Sequence, residues 1–149
     1  MIEFKKGNLF DSEAEYLVCP VNLMGVFHNE IGKQFAERFP EMADVYKECC
    51  VNKAMRIGRV LNVYNCPDKD ETIKKNIICI PVRGLYCFPA TLEFIEKGLK
   101  AFVEKHDNGI HKTVAFPLLS DDGLSDDDVK NLMTECLKDL NMDIEIFIS

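Results

Sequence analysis

The sequence predicts an α/β fold in which helices pack on a largely parallel central sheet. Three apolar runs, Tyr16–Val21, Ile77–Pro81 and Thr113–Pro117, are long enough for buried strands and too short for most helices. Segments with helical apolar spacing lie between and after these runs. Strands that alternate with helices in this way indicate a layered α/β domain.

Two strands and two helices are predicted in the first third of the chain, over Met1–Lys5, Tyr16–Val21, Glu30–Phe39 and Pro40–Cys50. Ile31, Phe35 and Phe39 have the spacing of one helix face. Asn29 suits the N-cap of this helix, and Pro40 suits the first turn of the next. The loop before the first helix therefore ends at a helix N-terminus, where backbone amides can bind an anion.

The remaining predicted elements are strands over Arg56–Tyr64, Ile77–Pro81, Thr113–Pro117 and Asp143–Ile148, and helices over Thr91–Glu104 and from Asp126 to about Leu140. Asn65–Lys75 is polar and charged, which predicts a surface hairpin or loop. Ser125 suits an N-cap, and the acidic run Asp126–Asp128 suits the first turn of a helix. No repeat or linker divides the 149 residues, so we expect one domain over 1–149.

The charge and hydropathy of the chain exclude several classes of protein. A net charge of −7 argues against a general nucleic-acid or anionic-membrane surface, because phosphate binding needs clustered Lys and Arg. No apolar run approaches the length of a transmembrane helix, and Met1–Lys6 lacks the apolar core of a signal peptide. We therefore expect a cytoplasmic protein without membrane contact, and we expect a monomer.

The seven cysteines predict neither a metal site nor a disulfide framework. Cys19, Cys66 and Cys79 lie in or beside apolar strand runs, where reduced cysteines act as small core residues. Cys49 and Cys50 are sequence neighbours and lack the C-x-x-C spacing of metal ligands.

Several motifs carry a resemblance to a known family. They are Val21-Asn22, Gly25-Val26, Ile31, Gln34-Phe35, Phe39-Pro40 and Ile95-Glu96-Lys97-Gly98-Leu99. In this order and spacing they resemble a macro domain, the fold that binds ADP-ribose, and most closely the branch that removes ADP-ribose from nucleic acid or acidic side chains. The resemblance spans nearly the whole chain. It implies a three-layer fold with a mixed, largely parallel sheet and helices on both faces.

The resemblance also implies a site for ADP-ribose or an ADP-ribosylated target, with no cofactor and no metal. Asn8 takes the place of an aspartate that usually accepts a hydrogen bond from the adenine amino group, and Asn22 would lie near the distal ribose. The implied ligand-binding residues are Asn8, Leu9, Asn22, Gly25, Val26, His28, Ile31, Pro117, Ser120 and Gly123. The implied catalytic residues are Asp122, Arg83 and Asn22. For Asn8, Asp122 and His28 the alternatives are a plain turn, a solvated acidic loop and an exposed loop histidine.

The chain departs from the family in its glycine-rich loops and at its catalytic lysine. Phe27–Glu30 replaces Met-Gly-Lys-Gly, and Pro117–Gly123 contains no Gly-x-Gly. Loss of glycine restricts the positive φ values that aim loop amides at phosphate, and each lost charge-assisted bond is worth roughly 1.5–3 kcal/mol. Arg83 stands where the family has lysine, and arginine stays protonated, so it cannot act as a covalent nucleophile.

Three functions are compatible with these residues. The first is a module that recognises ADP-ribose or a related nucleotide derivative, with weak or no turnover. The second is a hydrolase that removes ADP-ribose from DNA or protein with Asp122, because a carboxylate stabilises an oxocarbenium-like state. The third is a macro fold that has lost its ligand and serves as a protein-interaction scaffold.

Overall fold

A computed structural model describes residues 1–85, 88–120 and 123–148. Its elements are β1 (Ile2–Lys6), a 3-10 turn (Leu9–Asp11), β2 (Tyr16–Val21), α1 (Glu30–Arg38), α2 (Pro40–Val51), β3 (Leu61–Pro67), β4 (Lys74–Pro81), α3 (Leu92–His106), β5 (Lys112–Pro117), α4 (Asp126–Leu137) and β6 (Met142–Ile148). The six strands form one sheet in the order β1-β6-β5-β2-β4-β3. All neighbouring strands are parallel except β3 and β4, which confirms the mixed, largely parallel sheet.

The central strands β2 and β4 are buried on both faces, as their apolar runs predict. Leu17 and Cys19 of β2 pack with Ile77 and Cys79 of β4 against α1 and α2. Val18, on the opposite face of β2, belongs to the core cluster beneath α3 and α4. Successive residues of a strand point to opposite faces, so two apolar cores separate three layers. The cysteines predicted to be core residues are all buried: Cys19, Cys66 and Cys79.

The structure corrects the predicted bounds of β3. The strand runs from Leu61 to Pro67, whereas the prediction placed it over Arg56–Tyr64. Most of β3 is partly or fully exposed, because it is the antiparallel edge strand of the sheet. An edge strand carries polar residues that resemble a loop in sequence. Asp68 closes the hairpin to β4 by accepting hydrogen bonds from the Thr72 amide and hydroxyl.

The helices begin at the predicted caps. Asn29 Oδ1 accepts a hydrogen bond from the Gly32 amide at 2.8 Å, and Ser125 Oγ accepts one from the Asp128 amide. Helix α4 ends at Leu137, three residues before the predicted end, although Leu140 still packs into the core beyond it. Across the described ranges, none of the helices has the length and apolarity to cross a membrane.

Candidate functional site

An open cleft of about 500 Å³ lies at the carboxyl ends of β1, β5 and β6. The N-terminal turns of α1 and α4 border it. Its lining residues are Gly7, Asn8, Leu9, Glu30, Ile31, Gln34, Pro117, Leu118, Ser120, Asp126, Phe147 and Ile148. Ligands of open α/β sheets usually bind at this end of the strands, so the cleft is the candidate binding site.

One end of the cleft is largely apolar. Leu9 follows β1, Ile31 lies in the first turn of α1, and Phe147 and Ile148 end β6. Asn8 adds an exposed polar side chain, whose Oδ1 accepts a hydrogen bond from the Phe10 amide at 2.9 Å. Apolar contacts beside a polar side chain suit a heterocyclic base better than a phosphate.

The first turn of α1 forms another wall of the cleft. Asn29 caps the helix, and its side chain accepts a hydrogen bond from the Gly32 amide. The backbone amides of Glu30 and Ile31 are therefore left to donate to solvent or a ligand. Such amides attract anions, as does the positive end of the helix dipole. The exposed carboxylate of Glu30 stands at the same place and opposes anion binding.

Asn22 organises the loop between β2 and α1. Its side chain is fully buried, and its Nδ2 donates to the Val26 carbonyl at 2.8 Å and to His28 Nδ1 at 2.9 Å. Its Oδ1 accepts from the Met24 amide at 2.9 Å and from the Tyr46 hydroxyl at 2.8 Å. All four hydrogen-bonding positions of the amide are therefore occupied within the protein.

The hydrogen bonds of Asn22 also indicate which atoms of His28 and Tyr46 carry protons. Because Asn22 Nδ2 donates to His28 Nδ1, that nitrogen accepts, and the neutral ring carries its proton on Nε2. Burial raises the pKa of Tyr46, so its hydroxyl remains a donor to Asn22. Gly25 has a φ of +77°, and a Cβ there would lie 3.3 Å from Cys50 Cβ. The turn thus requires glycine at this position.

Arg83 lies beside this loop. The Val82 amide donates to the Val21 carbonyl at 2.9 Å, and the Leu23 amide donates to the Gly84 carbonyl at 3.0 Å. These bonds join the chain after β2 to the chain after β4. They bring the buried Arg83 next to the loop that contains Asn22.

Solved structures match this architecture along the whole chain. The macrodomain of Thermus aquaticus DarG superposes with a TM-score of 0.86 at 26% identity, covering 100% of this chain and 99% of that one. The chain has the macro-domain fold. The macrodomain of Mycobacterium tuberculosis DarG gives a TM-score of 0.84 at 26% identity over 100% of this chain and 98% of that one. Thermosipho africanus DarTG in complex with ADP-ribose shares the fold at 22% identity and a TM-score of 0.87, and the match covers 99% of this chain and 41% of that one.

Two curated relatives share one name. The proteins of Thermus aquaticus and of Mycobacterium bovis are each named "DNA ADP-ribosyl glycohydrolase". They are 29% identical over 99% of this chain and 30% identical over 94% of it, respectively. The chain spans about two-fifths of the length of these relatives. No protein-family model matches the sequence.

The predicted site residues fall into two groups in the macro domain. The cleft contains Asn8, Leu9, Ile31, Pro117 and Ser120. The loop after β2 contains Asn22, Gly25, Val26 and His28, with Arg83 beside it. Gly123 is exposed, with a φ of +84°, shortly before α4. Asp122 lies outside the described residues, and the roles given to these residues stay predictions.

The site prediction did not include seven residues that line the cleft: Gly7, Glu30, Gln34, Leu118, Asp126, Phe147 and Ile148. Gln34 lies one turn after Ile31 on the same helix face, so helical spacing could have found it. Phe147 and Ile148 end a strand whose position beside β1 appears only in the sheet order. Among the described residues, no group of three His, Cys, Asp or Glu side chains could hold a metal ion.

Proposed function

We propose that this macro domain recognises ADP-ribose or a related nucleotide derivative, with weak or no turnover. The observation that carries the proposal is the cleft of about 500 Å³, within the range of about 300–1,000 Å³ typical of small-molecule sites. It has an apolar end and a helix N-terminus, which suit a base and a phosphate. The name of the curated relatives, DNA ADP-ribosyl glycohydrolase, supports the same ligand.

The two groups of residues suggest how the ligand lies. The base rests on the apolar end near Asn8, between Ile31 and the end of β6. The pyrophosphate follows the first turn of α1. The distal ribose then points towards the loop of Asn22, with the buried guanidinium of Arg83 close to that loop.

The same residues argue for weak turnover. Arg83 can hold an anion or orient a substrate, but a guanidinium is always protonated and forms no Schiff base with an opened sugar. The amide of Asn22 has no free position for a substrate or a water molecule. The proposal therefore includes no covalent intermediate formed by Arg83 or Asn22.

Isothermal titration of the purified domain at low salt tests recognition. We expect micromolar affinity for ADP-ribose, with AMP and ribose 5-phosphate binding much more weakly. No heat with ADP-ribose, and no competition at millimolar concentration, would overturn the proposal. That result would favour the alternative of a macro fold used as a protein-interaction scaffold.

A second candidate function is removal of ADP-ribose from DNA. The name of the two curated relatives, DNA ADP-ribosyl glycohydrolase, favours it. In this reading the carboxylate of Asp122 stabilises an oxocarbenium-like state while water attacks the anomeric carbon. The substrate would be an ADP-ribosylated oligonucleotide.

Release of ADP-ribose from such an oligonucleotide distinguishes the two candidates. A hydrolase releases it, loses the activity in Asp122→Ala and retains it in Asp127→Ala, a matched removal of an exposed carboxylate in the first turn of α4. A domain that binds ADP-ribose and releases none from the oligonucleotide is a recognition module.

A further inference from the structure

We infer that the surface beside Asn22 and Arg83, towards the edge strand β3, binds a single nucleic-acid strand, so that the domain recognises ADP-ribose attached to such a strand. The inference rests on the proposed function, because it places the strand next to the end of ADP-ribose that points towards Asn22. It concerns the partner that carries the ADP-ribose. Two features of the surface support it, a group of exposed basic side chains and a neighbouring group of exposed apolar side chains.

The basic side chains lie between the last turns of α2 and the start of β3. Residues 45–64 contain four basic residues and one acidic residue, Glu48, in a chain whose net charge is −7. The four, which we call the basic group, are all exposed: Lys47, Lys53, Arg56 and Arg59. Among the described residues, no ion pair includes a member of this group, whereas five lysines elsewhere pair with carboxylates. The basic group therefore forms a local positive surface on an acidic protein.

Contacts at both ends of this segment place it beside the site. At its start, the Nζ of Lys47 lies 5.9 Å from the centre of the Phe27 ring, in the loop after β2. At its end, Leu61 pairs with Cys79, close to the carboxyl end of β4. The segment thus lies at the same end of the parallel strands as the cleft, on the side of β2 away from β1. A ligand that extends from the cleft past Asn22 reaches the basic group next.

Four apolar side chains are exposed on the two loops between the cleft and the basic group. A hydrogen bond from the Leu23 amide to the Gly84 carbonyl, at 3.0 Å, joins the loop after β2 to the chain after β4. The exposed side chains on these two segments, which we call the apolar group, are Met24, Val26, Leu85 and Phe88. Single exposed apolar residues are common on protein surfaces, but four on two bonded loops form a patch.

The two groups together have the chemistry that a single nucleic-acid strand requires. Exposed cations neutralise phosphates, and exposed aromatic and apolar side chains stack on bases that are not covered by neighbouring base pairs. A duplex keeps its bases stacked inside, so it would leave the apolar group without contacts. A wholly apolar partner would leave the basic group unneutralised. A single strand satisfies both groups, and ADP-ribosylated DNA, the second candidate substrate, can present one.

Three ligands test the inference: free ADP-ribose, a single-stranded DNA of about 12 nucleotides, and the same oligonucleotide carrying one ADP-ribose. At about 50 mM salt we expect the ADP-ribosylated oligonucleotide to bind about tenfold more tightly than ADP-ribose. The unmodified oligonucleotide should bind much more weakly than the modified one, because the chain as a whole is acidic. If the domain releases ADP-ribose during the measurement, kcat/KM for the oligonucleotide replaces its affinity in every comparison.

The double variant Lys47→Gln/Arg56→Gln removes two members of the basic group. We expect about fivefold to tenfold weaker binding of the ADP-ribosylated oligonucleotide, with a salt dependence reduced by about 1.4 in the slope of log K against log salt. Affinity for free ADP-ribose should stay within about twofold. Lys69→Gln/Lys74→Gln makes the same change of charge at exposed positions near the amino end of β4 and should leave both affinities unaltered.

Phe88→Ala tests the apolar group. The ring is 61% exposed, so its removal should spare the fold, and we expect about fivefold or weaker binding of the ADP-ribosylated oligonucleotide. Phe88→Tyr keeps a stacking surface and should retain the affinity. Ile110→Ala removes a side chain that is 63% exposed between α3 and β5, at the amino ends of the parallel strands, and should have no effect.

The outcomes separate the inference from the proposed function. Equal affinity of the natural sequence for ADP-ribose and for the ADP-ribosylated oligonucleotide would overturn the inference, leave the proposed function intact and favour an acidic protein as the partner of this surface. Equal losses in the basic-group variant and its control would overturn it too. Failure of free ADP-ribose to bind would overturn the proposed function and the inference with it.

Discussion

At the scale of single residues, Glu30 contributes a negative charge to the cleft. Its carboxylate lines the site at the helix N-terminus that would receive phosphate. At about 4 Å and an effective dielectric near 20, one such charge opposes an anion by up to about 4 kcal/mol before screening. We predict that Glu30→Gln binds ADP-ribose more tightly by about threefold to tenfold at low salt, as measured by titration.

Two comparisons distinguish charge repulsion by Glu30 from a change in the shape of the cleft: a series of salt concentrations and a matched variant. The gain should shrink between about 20 and 300 mM salt, because exposed charges are screened over a Debye length of about 10 Å or less. Glu104→Gln makes the same change of net charge near the C-terminus of α3, at the opposite edge of the sheet, and should leave the affinity unaltered. Equal affinities for Glu30→Gln and the natural sequence would contradict the predicted repulsion.

Tyr46 has a different role, because it is buried beneath the loop and does not touch the cleft. Its hydroxyl shares one proton between the backbone carbonyl and the Oδ1 of Asn22, each at 2.8 Å. Tyr46→Phe removes the donor and leaves these buried acceptors less well satisfied. We predict a loss of about 1–3 kcal/mol in the free energy of unfolding, measured by urea denaturation, together with weaker ADP-ribose binding.

Tyr64→Phe is the control for this substitution. The Tyr64 side chain is 54% exposed on the edge strand, so removal of its hydroxyl should change stability by less than about 0.5 kcal/mol. If Tyr46→Phe is as stable as Tyr64→Phe, the hydroxyl of Tyr46 does not stabilise the loop that contains Asn22.

At the scale of elements, α3 approaches β4 closely at Gly98. A Cβ at Gly98 would lie 2.5 Å from Ile80 Cγ2 and 3.5 Å from the Pro81 carbonyl oxygen. The missing side chain lets the helix lie against the central strand. We predict that Gly98→Ala lowers the free energy of unfolding by about 1–3 kcal/mol, although alanine favours helices.

Gly84→Ala is the matched comparison, since no atom lies within 4 Å of its added Cβ and its φ is not in the left-handed region. Urea denaturation should find it close to the natural sequence in stability. A Gly98→Ala protein at least as stable as Gly84→Ala would contradict the prediction. It would show that α3 and β4 can move apart without a loss of unfolding free energy.

The elements also show where sequence patterns suffice. The bounds of β2 agree with the prediction at both ends, because an apolar run between polar flanks has only one way to be buried. The prediction misplaced the edge strand β3 by several residues. Much of this strand faces solvent, so burial constrains its residues only weakly. The register shift between Val63 and Cys66, with Asn65 at a φ of +52°, was not predicted from the sequence.

At the scale of the whole molecule, stability should depend on pH through His106. Burial, together with the charges of Lys112 and Lys105, lowers its pKa from about 6.5 to about 4. Its Nε2 lies 2.8 Å from Asn62 Oδ1, which suits a neutral ring that donates there. The unfolded chain binds a proton near pH 6.5 and the folded chain only near pH 4, so stability falls as the pH decreases between these values.

We predict that this histidine accounts for about 2 kcal/mol of the loss of unfolding free energy between pH 7 and pH 4. His106→Gln can keep the donor to Asn62 without titrating, so its stability should fall less over this range. His111→Gln, which removes an exposed histidine, should retain the pH dependence of the natural sequence. Equal slopes for His106→Gln and His111→Gln would contradict the assignment.

The sequence by itself determined the layered α/β class, the caps of α1 and α4, and the loops that border the site. These features are local, because apolar spacing, an Asn or Ser before a helix and a glycine at positive φ act through near neighbours. Only the tertiary structure decided which residues share the cleft. The parallel sheet brings the ends of β1, β5 and β6 together although they are far apart in the chain.

Asn22 shows the same division within one residue. Its motif marked it as a site residue, but the sequence could not indicate that Tyr46, 24 positions later, donates to its side chain. Hydrogen bonds from the loop and from α2 occupy its amide completely. Whether a polar side chain faces a ligand or holds a loop depends on the partners that the fold brings to it, and most of those partners are distant in sequence.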